Sequence, residues 1–109
     1  MARTQSVSVD QAGGTTADII AAVSGKVIRV VGFCLSVSGA AVTVKSTLQD
    51  KTANTVRVTL VGNATAPGVY SYSGTPESPA FEVLKGDALE LVTGTAAVVS
   101  GFITFQLVE

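Results

Sequence analysis

The residues able to do chemistry are few and scattered. The carboxylates are Asp10, Asp18, Asp50, Glu77, Glu82, Asp87, Glu90 and Glu109. Two carboxylates flanking a glycosidic bond can serve as acid and base. Glu82 and Glu90 make the best such pair, because both point outward on what reads as neighbouring strands of a hairpin. Turn-flanking charges on solvated strand faces account for them equally well. With no histidine and a single cysteine, Cys34, the chain lacks the parts of a Ser-His-Asp or Cys-His arrangement and the ligands of a zinc site. Asp50 and Asp87 each stand alone, short of the clustered oxygens that calcium requires. No glycine-rich phosphate loop occurs. The chain therefore reads as a non-enzyme with no catalytic, cofactor-binding or metal residue and no cofactor.

Two other side-chain types invite a role. Tyr70 and Tyr72 in the short strand VYSYS fall on one face beside polar loops. Such a pair can stack a sugar ring or anchor a protein partner, or simply close one end of a sandwich. Cys34 lies between Phe33 and Leu35 and reads as a small buried hydrophobe. Alone, it excludes an internal disulfide.

Composition narrows the class further. Only 14% of the 109 residues are charged, against about 25% in an ordinary soluble protein, while 47% are apolar. The net charge is −1, and the seven basic residues are spread along the chain. Binding to a phosphate backbone needs clustered Lys and Arg, so nucleic acid is not an expected partner. Low charge with an apolar surplus fits a protein that lives against other protein. The start MARTQSVSVD has no apolar core and does not read as a secretory signal. No run approaches the ~20 apolar residues that span a bilayer. No membrane partner is expected, and synthesis in a cytoplasm is.

The elements that must hold these residues are strands. Valine, threonine and glycine at this density favour strands and tight turns over helices. Lys26 to Asp50 reads as a hairpin turning at Ser38-Gly39-Ala40, with Val42, Val44 and Leu48 inward on its second arm. Lys51 to Asn54 is a short connection into Thr55 to Val61, whose Val56, Val58 and Leu60 point inward. Thr15 to Val23 is a strand or one helical turn. Further strands follow at Val69 to Ser73, Pro79 to Leu84, Asp87 to Thr93 and Ala96 to Glu109, with Lys85-Gly86 and Gly94-Thr95 as turns. Gly101 interrupts the last strand, a mark of a bulge or a close backbone approach. Residues 3–9 alternate weakly, as an edge strand or, more in keeping with their small side chains, an extended arm.

About eight short strands with glycine-rich turns predict an all-β antiparallel sandwich or jelly roll. Residues 1–12 are expected as the arm and 13–109 as one domain. Two strands, Val27 to Val37 and Ala96 to Leu107, are apolar on both alternating sets. A sandwich strand needs only one apolar face, so the second is expected to be covered by another copy of the chain.

The stretches GTTADIIAAVSGKVIRVVGFCLSVSGA and FEVLKGDALELVTGTAAVVSGFITFQLVE, with their Ser24-Gly25-Lys26 entry and Lys85 to Leu91 turn and strand, resemble small jelly-roll head decoration, or cement, proteins of tailed bacteriophages. The resemblance covers about residues 13 to 108 and rests on strand and turn patterns. It implies a structural virion protein, made in the host cytoplasm. Such a protein is a homotrimer that binds the major capsid protein on the outer capsid surface and stabilises the contacts between its copies. On that reading Arg3, Thr4, Gln5, Val7 and Val9 are the capsid-contact arm. Ile28, Val30, Val99, Ile103 and Phe105 line the trimer interface. The alternative is a carbohydrate- or receptor-binding module of a phage fibre or tail, using Tyr70, Tyr72 and the loops Gly62 to Gly68 and Gly74 to Pro79.

Overall fold

A computed structural model describes residues 3–39 and 41–109. Ala40, part of the expected hairpin turn, and Met1 and Ala2, part of the expected arm, lie outside the described residues. Among the described residues nine strands form: β1 (Gln5–Ala12), β2 (Thr16–Ile20), β3 (Val27–Ser38), β4 (Val44–Asp50), β5 (Val56–Gly62), β6 (Gly68–Tyr72), β7 (Phe81–Glu82), β8 (Leu89–Val92) and β9 (Val98–Val108). They build two antiparallel sheets. The first runs β1-β9-β3-β6, with β7 also pairing β3; the second runs β2-β8-β4-β5. The order in which chain neighbours alternate between layers is that of a jelly roll. Thr16–Ile20 takes the strand form rather than the helical turn.

The core lies between the layers. Ile28, Val30, Leu35, Val37, Val99 and Ile103 of the first sheet meet Leu48, Leu60, Leu89 and Leu91 of the second, all at most 1% exposed. Alternation works as expected in β8, where Leu89 and Leu91 face inward. Val42 departs from its expected inward place and is 70% exposed, because β4 begins only at Val44. Val56 is likewise exposed at the start of β5, while Val58 packs against the core.

Two expected hairpins do not exist. β3 and β4 lie in different sheets, as do β7 and β8. The turn after Ser38 carries the chain across the sandwich instead of folding it back. Of the expected local pairings, β4 with β5 does form across Lys51 to Asn54. Asn54 adopts a positive φ of 55°, a conformation that asparagine tolerates better than most residues.

The doubly apolar strand β3 has a local explanation. Val30 pairs Phe105 and Gly32 pairs Thr104, so Val31 is an extra residue with no counterpart on β9. A bulge of one residue switches which alternating set faces the core. Before it Ile28 and Val30 point inward; after it Phe33, Leu35 and Val37 do. Both sets are apolar because each serves the same core in turn. In β9 the inward set is Val99, Ile103, Phe105 and Leu107, and Ser100, Phe102, Thr104 and Gln106 form the other face. The inference that a second copy must cover Ile28, Val30, Val99, Ile103 and Phe105 is therefore corrected. The chain's own second sheet buries them, leaving them 0–7% exposed.

Residues 5–12 are also corrected. They form edge strand β1, paired to β9 from Gln5–Phe105 through Ala12–Val98. Val9 is 3% exposed and Val7 packs against the core, so backbone pairing and burial hold this segment in the sheet rather than leaving a free arm.

Candidate functional site

The carboxylates do not gather into a reacting pair. Glu82 lies on β7 in the first sheet and its Oε2 accepts from Arg29 Nε at 2.6 Å. Glu90 lies on β8 in the second sheet, buried, and accepts from Gln49 Nε2 at 2.9 Å. The two are not hairpin neighbours, because the Lys85-Gly86 turn changes layers. Glu90 is instead cross-strand to Asp18, whose carboxylate binds Lys51 at 3.0 Å. Among the described residues no three His, Cys, Asp or Glu side chains come together as a metal site would require.

Asp50 and Asp87 are structural anchors that hold one end of the sandwich. Asp50 is fully buried and receives Arg57 Nε at 2.8 Å, Arg57 Nη2 at 2.7 Å and the Leu84 N–H at 3.0 Å. Arg57 is the extra residue of a bulge, since Leu48 pairs Val58 while Gln49 pairs Val56. The hydrogen bond to Asp50 raises the guanidinium pKa, against the opposing effect of burial. Asp87 caps the β4–β5 turn by accepting the N–H groups of Thr52 and Ala53, and it also accepts its neighbour Ala88. Burial pushes the Asp87 carboxyl upward, but these donors outweigh it and hold its pKa below the ordinary carboxylate value.

Tyr70 and Tyr72 do share a face, opposite Leu35 and Phe33, but it is the inner one. The Tyr70 hydroxyl donates to Val61 O at 3.0 Å and accepts from Val61 N at 2.9 Å, tying β6 to β5 across the open side of the sandwich. Tyr70 is half-buried and occupied in this way. Tyr72 donates to Ser78 O at 3.0 Å and keeps 40% of its surface exposed.

A hollow of about 760 Å³ lies at the end of the sandwich where β3 starts and β9 finishes. Its cations are already matched, Lys26 to Glu109 at 3.1 Å and Arg29 to Glu82. Nearby, the Thr4 hydroxyl accepts from Gln106 Nε2 at 3.2 Å. Arg3 and Thr4 precede β1 and are exposed here.

The surface that stands out is the outer face of the first sheet. Cross-strand partners share a face, and one row runs Ser8–Phe102–Cys34–Ser71 across all four long strands. The next rows are Asp10–Ser100–Ser36–Val69 and Ser6–Thr104–Gly32. Apart from Asp10 on the edge strand, side chains here are uncharged and mostly small, with Phe102 standing 47% exposed near the centre and Val69 69% exposed at the β6 side. Beside it a hollow of about 310 Å³ is floored by Gly32, Cys34 and Ser71 and walled by Phe102, Tyr72 and Gly74. Cys34 is half-buried in that floor rather than sunk in the core. Gly32 is required there, since a Cβ would come 2.7 Å from the Tyr72 carbonyl oxygen. Charge is confined to the margins, Asp10 at one end and the Arg29–Glu82 pair at the other. The opposite sheet carries Asp18, Lys45 and Glu90 on its outer face. This uncharged face was not singled out from the sequence, because its serines and glycines give no signal until the register aligns them.

No protein-family model matches the chain, and no curated protein does. The chain is similar to several solved structures. An appendage protein of Bacillus endospores, described as forming disulfide-linked pili, matches with a TM-score of 0.54 at 15% identity, over 98% of this chain and 87% of that one. The virus-like particle protein of the extra small virus of the prawn Macrobrachium rosenbergii matches at 12% identity and TM-score 0.46, over 97% and 78% of the two chains. A chain from the capsid asymmetric unit of cyanophage Pam1 matches at 15% identity and TM-score 0.43, over 96% and 84%. At 15% identity the likeness to the appendage protein is one of fold alone.

Proposed function

We propose that this chain is a structural coat protein, a head decoration protein that binds the outer surface of a phage capsid and bridges copies of the major capsid protein. The observation that carries the reading is the broad outer face of the first sheet, small-residued, uncharged over its middle and bearing an exposed phenylalanine. Interface cores are depleted in charge and enriched in aromatics, whereas a solvated strand face ordinarily alternates in charged residues. The low charge of the whole chain and the resemblance of its strand and turn patterns to decoration proteins support the same reading.

In this role the protein acts as a homo-oligomer, for which the resemblance implies three copies. One end of the sandwich, with Arg3 and Thr4, faces the capsid. A multivalent clamp can hold with weak individual contacts because the second and third engage at high effective concentration. Val7 and Val9 leave that contact set, since Val9 is buried and Val7 packs against the core, and Gln5 is held in β1. The carbohydrate-binding alternative keeps only Tyr72 of its tyrosine pair.

The test is cosedimentation of the purified chain with phage capsids stripped of decoration protein. Saturable binding and a raised capsid melting temperature are expected. Absence of binding to every stripped capsid tried, together with retention on a glycan array, would replace this reading with the sugar-binding one. A second structural reading, a filament subunit, follows from the fold shared with a pilus-forming appendage protein. It predicts filaments of the chain alone in electron micrographs.

A further inference from the structure

We infer that the partner covering the outer face of the first sheet is a second copy of this chain, seated around Phe102. The inference rests on the coat-protein reading above and names who occupies that face. Three observations favour a self-contact over a foreign partner. The first is electrostatic. A face that meets its own kind places like against like, and charges near the middle of such a contact repel. The middle of this face has none, and Asp10 and Arg29 lie at its margins. The outer face of the other sheet, with Lys45, Asp18 and Glu90, lacks that property.

The second observation is shape. The face carries both halves of a contact, a protruding Phe102 and, beside it, a hollow of about 310 Å³ floored by small residues. One copy's ring can enter the other's hollow while receiving a ring in return, the two-fold arrangement that identical surfaces permit, so this contact makes a pair of copies in place of the three that the resemblance implies. Buried aromatics in such pockets carry much of an interface's energy.

The third is size. Three strands with at least eight residues each and β6 with five, about 4.8 Å apart at about 3.3 Å per residue, give roughly 450 Å² in projection. With side-chain relief this nears the ~800 Å² per partner of a standard interface. Ser36 Oγ and Ser100 Oγ lie 3.1 Å apart, so these hydroxyls satisfy each other within the chain and are covered at little cost.

The experiment measures solution mass by light scattering over a concentration series of the full chain. Wild type is expected as a multimer, and Phe102→Glu as a single chain with an unchanged circular dichroism spectrum. Ser8→Arg, on the exposed edge strand opposite Phe102, gives the same result should Phe102→Glu fail to fold. Thr59→Glu, on the outer face of the other sheet, leaves the mass unchanged. A wild type that stays monomeric up to its solubility limit overturns the inference. So does a multimer that survives both Phe102→Glu and Ser8→Arg. Capsid cosedimentation separates the two levels. An intact multimer that binds no stripped capsid overturns the decoration role and leaves the self-contact standing.

Discussion

Arg57 grips Asp50 with two parallel hydrogen bonds, 2.8 and 2.7 Å, from a bulge position on β5 to a carboxylate with no exposed surface. The backbone N–H of Leu84 adds a third donor, so one buried charge joins β4, β5 and the loop after β7. The pair itself contributes little over an apolar substitute, because both partners lose water. Removing one partner is another matter.

Arg57→Ala leaves the carboxylate buried without its counter-charge and is expected to cost about 3–5 kcal/mol in urea unfolding. Arg57→Lys recovers only part, since a single ammonium cannot reproduce the two-pronged contact. Equal stability of Arg57→Ala and wild type would mean that Asp50 is not held as described.

Asp87 makes stability depend on acid. Its folded pKa is depressed, so the unfolded chain binds the proton more readily. The stabilisation is fully present above the unfolded value of about 3.9 and is lost as pH falls through the lower folded value. Urea midpoints of Asp87→Asn and wild type should therefore differ at pH 7 and converge as the pH drops below about 4. A difference that stays constant across that window would show that Asp87 does not carry the acid dependence.

Deletion of Val31 removes the bulge residue and forces either Ile28 and Val30 or Leu35 and Val37 to the wrong face. Each displaced side chain costs about 1.5–3 kcal/mol, so the deletion is expected to exhaust a stability of about 5–15 kcal/mol. No cooperative thermal transition should be seen. A well-folded deletion variant would return the second apolar set of β3 to the surface.

Gly101 sits at φ 141° with its open side against the Cys34 carbonyl, where any Cβ collides with backbone. Gly25 also has positive φ, 75°, but opens to empty space. Gly25→Ala should cost about 1–2 kcal/mol from backbone conformation alone. Gly101→Ala should cost more, because β9 and β3 must also separate. Chemical denaturation of the two variants side by side reads the difference.

Tyr70→Phe removes both contacts to Val61 and should cost about 1–3 kcal/mol, chiefly by leaving the Val61 backbone groups without their partner. Amide hydrogen exchange at Val61 should quicken selectively. Unchanged exchange would mean that the hydroxyl does not close the β5–β6 side.

Much of the strand content was legible in the sequence, and for a simple reason. Period-two alternation marks β8 and β9, where Leu89 and Leu91 or Val99, Ile103 and Phe105 face one way. Alternation tells a residue's face but not its sheet. That is why β3 and β4 look like a hairpin and Glu82 and Glu90 like neighbours, when turns at Ser38 and Lys85 change layers. Nor does it reveal an extra residue: Val31 made a one-faced strand look two-faced and moved an expected interface into the core. Asp50 and Arg57 read as unrelated charges until a bulge aims one at the other. The outer face around Phe102 is assembled from four separated segments by register alone.

The position of β9 bears on how the molecule comes into being. It is the last of the nine strands to leave the ribosome, yet it lies inside its sheet, bonded to β1 on one side and β3 on the other. Until it arrives, β1 has no neighbour in its own layer and one edge of β3 has its backbone groups unpaired. The β4–β5 hairpin can form during synthesis, but the first sheet can close only once translation has passed Val108. Exposed strands are aggregation-prone during that interval, and distant pairings form slowly. Lower expression temperature and added chaperone are thus expected to raise the yield of this chain through a single late-arriving strand.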